Sequence, residues 1–120
     1  MEDMVIKIKN LRLRTIVGVQ EWERAKKQEV VVHIEMEFDG ARPAATDNIQ
    51  DAIDYSAIER RLLEQVEQTQ FFLLEKLADF ILRIVMEDAR VLRAVVEVDK
   101  PHALRFTDSV SVTTSAERNR

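Results

Sequence analysis

Apolar and polar residues alternate along four segments of the chain, as they do in strands that are buried on one side. The alternation covers residues 4–19, 28–38, 91–99 and 108–115. Only the polar run of residues 20–27 separates the first two segments. We therefore predict that they form an antiparallel hairpin with a polar loop.

The first of these strands changes phase partway along. Ile6 and Ile8 fall on one parity, whereas Leu11 and Leu13 fall on the other. Because the side-chain period of a strand is two, a slip of one residue predicts a bulge near Lys9-Asn10. Gly18 follows at the strand end, where the backbone can need the freedom of glycine.

Two segments with helical spacing come next, after a connection over residues 39–54. The first opens at Ser56-x-x-Glu59, which matches a capping box. Its apolar stripe consists of Ile58, Leu62, Leu63 and Val66. The second covers about residues 73–88, with a stripe of Leu74, Leu77, Ala78, Ile81 and Val85 that Leu73, Phe80, Leu82 and Ile84 widen. So broad an apolar surface has a second side to bury, and we expect a partner subunit to cover it.

The predicted order is ββααββ, an α+β domain over residues 1–120 with an antiparallel sheet and two helices on one face. Composition agrees with one domain, because 120 residues that are 46% hydrophobic can bury one core. A net charge of −4 argues against a nucleic-acid partner. Charges interrupt every apolar run at the N-terminus, and no apolar run reaches membrane-spanning length, so we expect a cytoplasmic protein without a membrane partner.

Metal and cofactor motifs are missing from the sequence. Cysteine is absent, which excludes disulfides and thiolate zinc sites. The two histidines, His33 and His102, have no metal-ligand spacing, and the two glycines form no phosphate loop. We predict no metal and no cofactor.

Four polar residues at the ends of predicted elements are candidates for chemistry. Glu23 lies in the hairpin loop, and Tyr55 directly precedes the capping box. Glu75 lies in the first turn of the second helix, and Lys100 ends the third strand. Each also has a purely structural explanation: a solvated loop residue, a packing contact, a favourable helix-dipole charge and a strand-end charge, respectively.

Several segments in the same order resemble the dihydroneopterin aldolase family. They are IKNLRLRT followed by GV and E, DNIQDAIDY at 47–55, FFLLEKL at 71–77 and VDKPHALRFTDSVS at 98–111. The resemblance implies the tunnelling fold (T-fold), in which ββααββ subunits join their sheets in a ring. Two stacked tetrameric rings would make a homo-octamer with sites at subunit interfaces. It also implies a small-molecule pterin substrate.

The resemblance assigns roles to matching positions. Glu75 would bind the 2-amino and N3 edge of the pterin, since a carboxylate can accept both N–H bonds. Tyr55 would act near the reacting carbon from the neighbouring subunit. Glu23 would help to handle protons, and Lys100 would be the catalytic acid/base. Val19, Ile53 and Leu74 would line the pterin.

The implied chemistry is a retro-aldol cleavage between C1′ and C2′ of the substrate side chain. The pterin ring accepts the electrons, so no Schiff base on Lys100 is needed. An aldolase then releases glycolaldehyde and 6-hydroxymethyl-7,8-dihydropterin. An epimerase lets the aldehyde rotate and recombine, which inverts C2′ of 7,8-dihydroneopterin triphosphate to the dihydromonapterin form.

The segment after Lys100 favours the epimerase branch of the family. Aldolases usually continue with a segment that contains Pro-Gly, whereas this chain continues with HALR and Phe106. His102 and Arg105, and also Lys26 and Lys27 unless they are merely solvated, could bind a triphosphate. The loop VQEWER instead resembles aldolases, so aldolase activity remains an alternative. A non-catalytic pterin-binding ring protein is a third.

Overall fold

The computed structural model describes residues 1–119, one residue short of the predicted domain, and places five strands in one sheet. The strands are β1 (Asp3–Val17), β2 (Gln28–Asp39), β3 (Gln70–Phe71), β4 (Arg93–Pro101) and β5 (Ser109–Glu117). Their order across the sheet is β3-β1-β2-β4-β5. All neighbours are antiparallel except β1 and β3, which are parallel. The four long strands confirm the predicted pattern, whereas the two-residue β3 was not predicted.

The predicted bulge in β1 is present. Ile8 pairs with Ile34, and the next paired residue is Leu11, opposite Val32. Asn10 adopts a left-handed conformation with a φ of 56°, which a short polar side chain tolerates. The bulge moves the apolar residues from one parity to the other, so that both halves of β1 face the helices.

Within residues 1–119, four helices lie between or beside the strands: α1 (Glu21–Ala25), α2 (Ala41–Thr46), α3 (Tyr55–Val66) and α4 (Leu74–Val85). A 3-10 turn covers Ile49–Asp51. The sequence predicted only a loop over residues 20–27 and only a connection over residues 39–54. Both predictions were wrong, because each segment contains a short helix. Both segments are short polar stretches whose helices of five and six residues have too few apolar positions to show a period.

The predicted capping box of α3 was also wrong. The helix is capped by Asp54, whose side chain accepts a hydrogen bond from the Ala57 backbone N–H at 3.1 Å. Tyr55 is thus the first residue of the helix, and Ser56 lies inside its first turn. Aspartate is as good an N-cap as serine, so the earlier of the two available caps is used.

The core lies between the sheet and the pair α3 and α4. It is formed by alternate residues of β1, β2 and β4 and by the inner stripes of both helices. In α4, Leu82 and Ile84 are also buried, at 5% and 8% exposure, because this helix packs on β4, β5 and α3 at once. Leu82 and Ile84 are thus covered by their own chain, whereas Leu73, just before the helix, is 53% exposed. The partner subunit expected over this apolar surface stays a prediction. None of the helices within residues 1–119 has the length and apolar character needed to cross a membrane.

Candidate active site

A buried ion pair joins α1 to the end of β4. Val96, Val98 and Lys100 share the parity that faces the helices, which carries the Lys100 ammonium inward and leaves the residue 8% exposed. Its Nζ contacts the Glu23 Oε2 atom. Glu23 is itself only 6% exposed. The interpretations of Glu23 as a solvated loop residue and of Lys100 as a solvated strand end were therefore wrong.

Neighbouring groups hold the Glu23 carboxylate in place. The backbone N–H of Gln20 donates to Oε1 at 3.2 Å, and the Gln28 amide donates to Oε2 at 3.3 Å. Gly18 makes the space for it, since a Cβ at that position would overlap the carboxylate. The φ of Gly18 is 139°, a conformation that other residues rarely adopt. The predicted need for glycine at this strand end is confirmed.

These contacts determine the ionisation of Glu23. Burial acts to raise the pKa of this carboxyl, but hydrogen bonds from Lys100, Gln20 and Gln28, together with the charge of Lys100, outweigh burial and hold the pKa below its ordinary value. At neutral pH the carboxylate is ionised and faces the lysine ammonium. A buried pair of this kind can hold or transfer one proton beside a bound molecule.

The start of α4 lies at the same end of the sheet. β3 pairs with the last residues of β1, Ile16 with Gln70 and Val17 with Phe71, and the Gly18 N–H donates to the Phe71 oxygen at 3.2 Å. Leu74 and Glu75 follow in the first turn of α4. We call this region, formed by residues 18–23, 70–75 and 100–102, the lysine end. It brings together Val19, Glu23, Leu74, Glu75, Lys100 and His102.

A cavity of about 330 Å³ opens at the same end of the sheet. It is lined by Arg14, Trp22, Gln28, Glu29, Pro101 and His102. The exposed loop of residues 102–108 begins here and carries Arg105, whose guanidinium carbon lies 6.0 Å from the centre of the Phe106 ring. Of the four residues predicted to bind phosphate, His102 and Arg105 lie two and five residues after Lys100, and Lys26 and Lys27 are exposed after α1.

Two predicted residues lie elsewhere in the chain. Ile53, 2% exposed, lines a cavity of about 210 Å³ together with Phe38 and Leu92. Leu92 precedes Lys100 by eight residues of nearly continuous strand, which is roughly 26 Å at the usual rise. Tyr55 begins α3 two residues after Ile53 and is 58% exposed. We call the region of residues 53–55 and 88–92 the tyrosine end.

Sequence reasoning did not find Gln28 and Arg24, two residues that hydrogen-bond to the lysine end. The Gln28 amide donates a hydrogen bond to Glu23, five residues earlier. The Arg24 guanidinium donates to the backbone oxygens of Gln70 and Phe71, which follow it by 46 and 47 residues. No spacing in the sequence predicts contacts that depend on how β3 lies beside β1. One signal in the sequence could have identified Arg24 as a candidate. It directly follows Glu23 and has no obvious acidic partner.

One group on the sheet face away from the helices has metal-ligand chemistry. The ligand atoms of His33, Glu97 and Asp99 lie within 4.8 Å of one another. The Asn10 N–H donates to His33 Nδ1 at 3.4 Å, so in the neutral ring Nε2 carries the proton and faces Asp99 Oδ2 at 3.4 Å. The contacts of His33 with Asn10, Asp99 and Glu97 account for how these side chains lie together.

Comparison with known proteins gives a consistent result. The family model "Dihydroneopterin aldolase" matches residues 6–115. A dihydroneopterin triphosphate 2′-epimerase from Pseudomonas aeruginosa is 42% identical, over 94% of this chain and 92% of its own. The Escherichia coli protein of the same name is 40% identical, over 95% of both chains. The solved structure of E. coli dihydroneopterin aldolase in complex with neopterin superposes with a TM-score of 0.89 at 26% identity, over 94% of this chain and 98% of that one. These matches confirm the predicted α+β tunnelling fold of the chain.

Proposed function

The chain belongs to the dihydroneopterin aldolase family, and from that premise we propose that it is a dihydroneopterin triphosphate 2′-epimerase. The observation that carries the chemistry is the buried Glu23–Lys100 pair at the end of β4. The choice of branch is supported by identity, which is 42% and 40% to two epimerases and 26% to the solved aldolase.

The reaction needs a proton to leave one oxygen and reach the pterin ring. A base takes the proton of the 2′-hydroxyl, the C1′–C2′ bond breaks, and its electrons enter the ring, where N5 gains a proton. The released aldehyde rotates, C1′ attacks its other face, and the proton transfers run in reverse. Glu23 and Lys100 exchange these protons through water, so no covalent bond to Lys100 forms. Every atom is retained, as an isomerisation requires.

Glu75 gives the pterin its orientation. It lies exposed in the first turn of α4, at the lysine end, where its carboxylate can accept hydrogen bonds from the 2-amino group and N3. Leu74 precedes Glu75 and is partly buried against the core, and Val19 is 63% exposed at the same end of the sheet. Both would supply apolar contact to the ring. The geometry of Glu23, Lys100 and Glu75 on one chain supports a pterin held with its side chain towards the ion pair.

The position of Tyr55 implies that a second copy completes the pocket. Ile53 shares a cavity with Leu92, which lies roughly 26 Å along the strand from Lys100, and Tyr55 follows Ile53 by two residues. One pterin is too small to reach from Leu92 to Lys100 on a single chain. We therefore place the lysine end of one copy against the tyrosine end of another. Large exposed apolar side chains at and beside the lysine end support a contact there: Val19, Trp22, Phe72, Leu73, Leu104 and Phe106.

The sheet edges favour a ring of such copies. β5 is an edge strand, and β1 is paired by β3 at only two residues, which leaves most of its outer edge open. An open edge strand is a template for pairing with another chain. The assembly that we propose is a homo-octamer of two stacked tetrameric rings, with β5 of one copy beside β1 of the next.

Product analysis tests the proposal. The protein is incubated separately with 7,8-dihydroneopterin triphosphate and with 7,8-dihydroneopterin, and the products are resolved by chromatography. We expect the 2′-epimer of the triphosphate as the main product. Glycolaldehyde with 6-hydroxymethyl-7,8-dihydropterin would instead assign the aldolase reaction, the second candidate, which the close structural match to the neopterin-bound aldolase favours. Binding without turnover of either substrate would leave a non-catalytic pterin-binding protein.

A further inference from the structure

Arg24 joins the two segments that carry the candidate acidic residues. Its Nη1 donates to the Gly18 oxygen at 3.1 Å and to the Phe71 oxygen at 2.9 Å, and its Nη2 donates to the Gln70 oxygen at 2.6 Å. Its guanidinium carbon also lies 4.0 Å from the centre of the Phe72 ring. A single half-buried side chain thus fixes three backbone carbonyls and one aromatic ring.

The bonded carbonyls belong to the two sides of the lysine end. Gly18 borders the carboxylate of Glu23, and Gln70 and Phe71 lead directly into the turn that carries Glu75. Within residues 1–119, the side-chain hydrogen bonds of Arg24 all go to backbone carbonyls, so the side chain is not held by a carboxylate of its own. The planar guanidinium suits this task, because its donors point in fixed directions.

We infer that Arg24 is a positioning residue that sets the distance between Glu23 and Glu75, and so the fit of the pterin between the ion pair and its binding carboxylate. This inference rests on the proposed function. α1 has only five residues and cannot hold its own position, since helices this short are not stable by themselves. Arg24 supplies the missing connection to β3 and α4. It acts through the backbone and does not itself touch the reacting atoms.

Two variants of Arg24 test this role against a matched control. Arg24→Ala removes all the bonds, whereas Arg24→Lys keeps the charge but not the planar fork. Arg83→Ala is the control, because Arg83 is an exposed arginine of α4 whose side chain pairs with Asp79 at 2.8 Å, away from the site. Hydrogen exchange of residues 18–25 and 70–76 is measured on the assembled protein without substrate, and kcat and KM are measured with the triphosphate across pH.

For Arg24→Ala we expect faster exchange in both segments together and a loss of kcat/KM of roughly 10-fold to 100-fold, as small misplacements of catalytic groups cause. The acid limb of kcat/KM should move to higher pH, because a displaced Glu23 loses the hydrogen bonds that lower its pKa. Arg24→Lys should recover only part of the loss, and Arg83→Ala should change none of these quantities.

Full recovery with Arg24→Lys, or unchanged exchange at residues 70–76 in both variants, would overturn the inference. If Arg24→Ala does not fold, Arg24→Lys alone decides, since it retains the charge and most of the packing. The exchange measurement needs no substrate. A wild-type protein that turns over neither pterin would therefore reject the proposed function while the exchange data still decide the role of Arg24.

Discussion

The lysine end and the tyrosine end of the chain hold their charges in different ways. At the lysine end, Glu23 and Lys100 are both at least nine-tenths buried and contact each other. At the tyrosine end the ion pair of Arg90 with Asp88 lies at the surface, and the arginine side chain is 53% exposed. Tyr55 itself projects towards solvent.

The difference supports the proposal that the lysine end transfers the protons. Breaking a buried ion pair by removing one partner typically costs about 3–5 kcal/mol, whereas a surface pair contributes about 0–1 kcal/mol. A chain retains two buried charges only where fixed hydrogen bonds compensate for their burial, and the lysine end supplies these. The tyrosine end has an exposed aromatic residue on a rigid helix start, which suits a wall that closes over a pterin from another copy.

Removing the lysine should give the largest effect and test the comparison most severely. For Lys100→Ala we expect turnover to fall by roughly 10³-fold, since positioned acid/base groups contribute about 10²–10⁴. Stability should also fall, because Glu23 is left buried without its cation. Steady-state kinetics and urea unfolding measure the two effects. Lys7→Ala is the control, because Lys7 pairs with Glu35 at the surface. Full turnover by Lys100→Ala would show that the proton-transfer assignment is wrong.

Gly18→Ala should give the next largest effect. The added Cβ would overlap the Glu23 carboxylate, and the backbone at a φ of 139° disfavours any side chain. We expect turnover to fall by roughly 10²-fold and stability by about 1–3 kcal/mol. Gly40→Ala is the matched control, because its φ is −92° and the neighbouring Met4 side chain can move. Equal losses of turnover in the two variants would contradict the special role of the lysine end.

The sequence predicted those features that depend on local pattern. The parity change between Ile8 and Leu11 located the bulge, and the alternation in residues 91–99 gave β4 with Val96 and Val98 inward. Both follow from the side-chain period of a strand, which needs no knowledge of distant residues. The candidate residues came from the family resemblance, and the structure places five of the pterin-site candidates, and His102, at one end.

Features that depend on distant contacts could not be predicted. Lys100 read as a strand-end charge because nothing in the sequence shows that Glu23 meets it across 77 residues. Asp54 and Ser56 both fit the start of α3, so the sequence pattern could not decide between them. The prediction chose Ser56, whereas the structure uses Asp54, two residues earlier. The separation of Tyr55 from Lys100 follows from the antiparallel arrangement of α3 and α4 along the sheet, which only the folded chain reveals.

Arg105 offers a way to sharpen the comparison within the lysine end. If the loop of residues 102–108 binds the triphosphate, Arg105→Ala should raise KM for the triphosphate by roughly 10-fold, as expected for a lost charge-assisted bond, and leave KM for free dihydroneopterin nearly unchanged. Arg60→Ala, on the exposed side of α3, is the control. Equal effects on the two substrates would reject a phosphate site in this loop.

The smallest expected effect concerns pH. Because the folded-state pKa of Glu23 is lowered, its ionised form stabilises the protein above its ordinary pKa of about 4.3, and this contribution is lost as the pH falls below that value. The stability gap between the wild type and Glu23→Gln should therefore narrow between about pH 5 and pH 3 in urea unfolding. Glu59→Gln removes the same charge from an exposed position and serves as the control. A gap that widens on acidification would reverse the assigned direction.

The central claim is that one site combines the lysine end of one copy with the tyrosine end of another, and mixed assemblies test it most directly. Lys100→Ala and Tyr55→Ala are each expected to have little activity. The two variants are co-expressed with different tags and purified as mixed assemblies. Some interfaces in these assemblies then combine an intact Lys100 from one copy with an intact Tyr55 from the other. Random assembly of equal amounts should restore about a quarter of wild-type turnover. Activity no higher than the sum of the two separate variants would contradict the shared site.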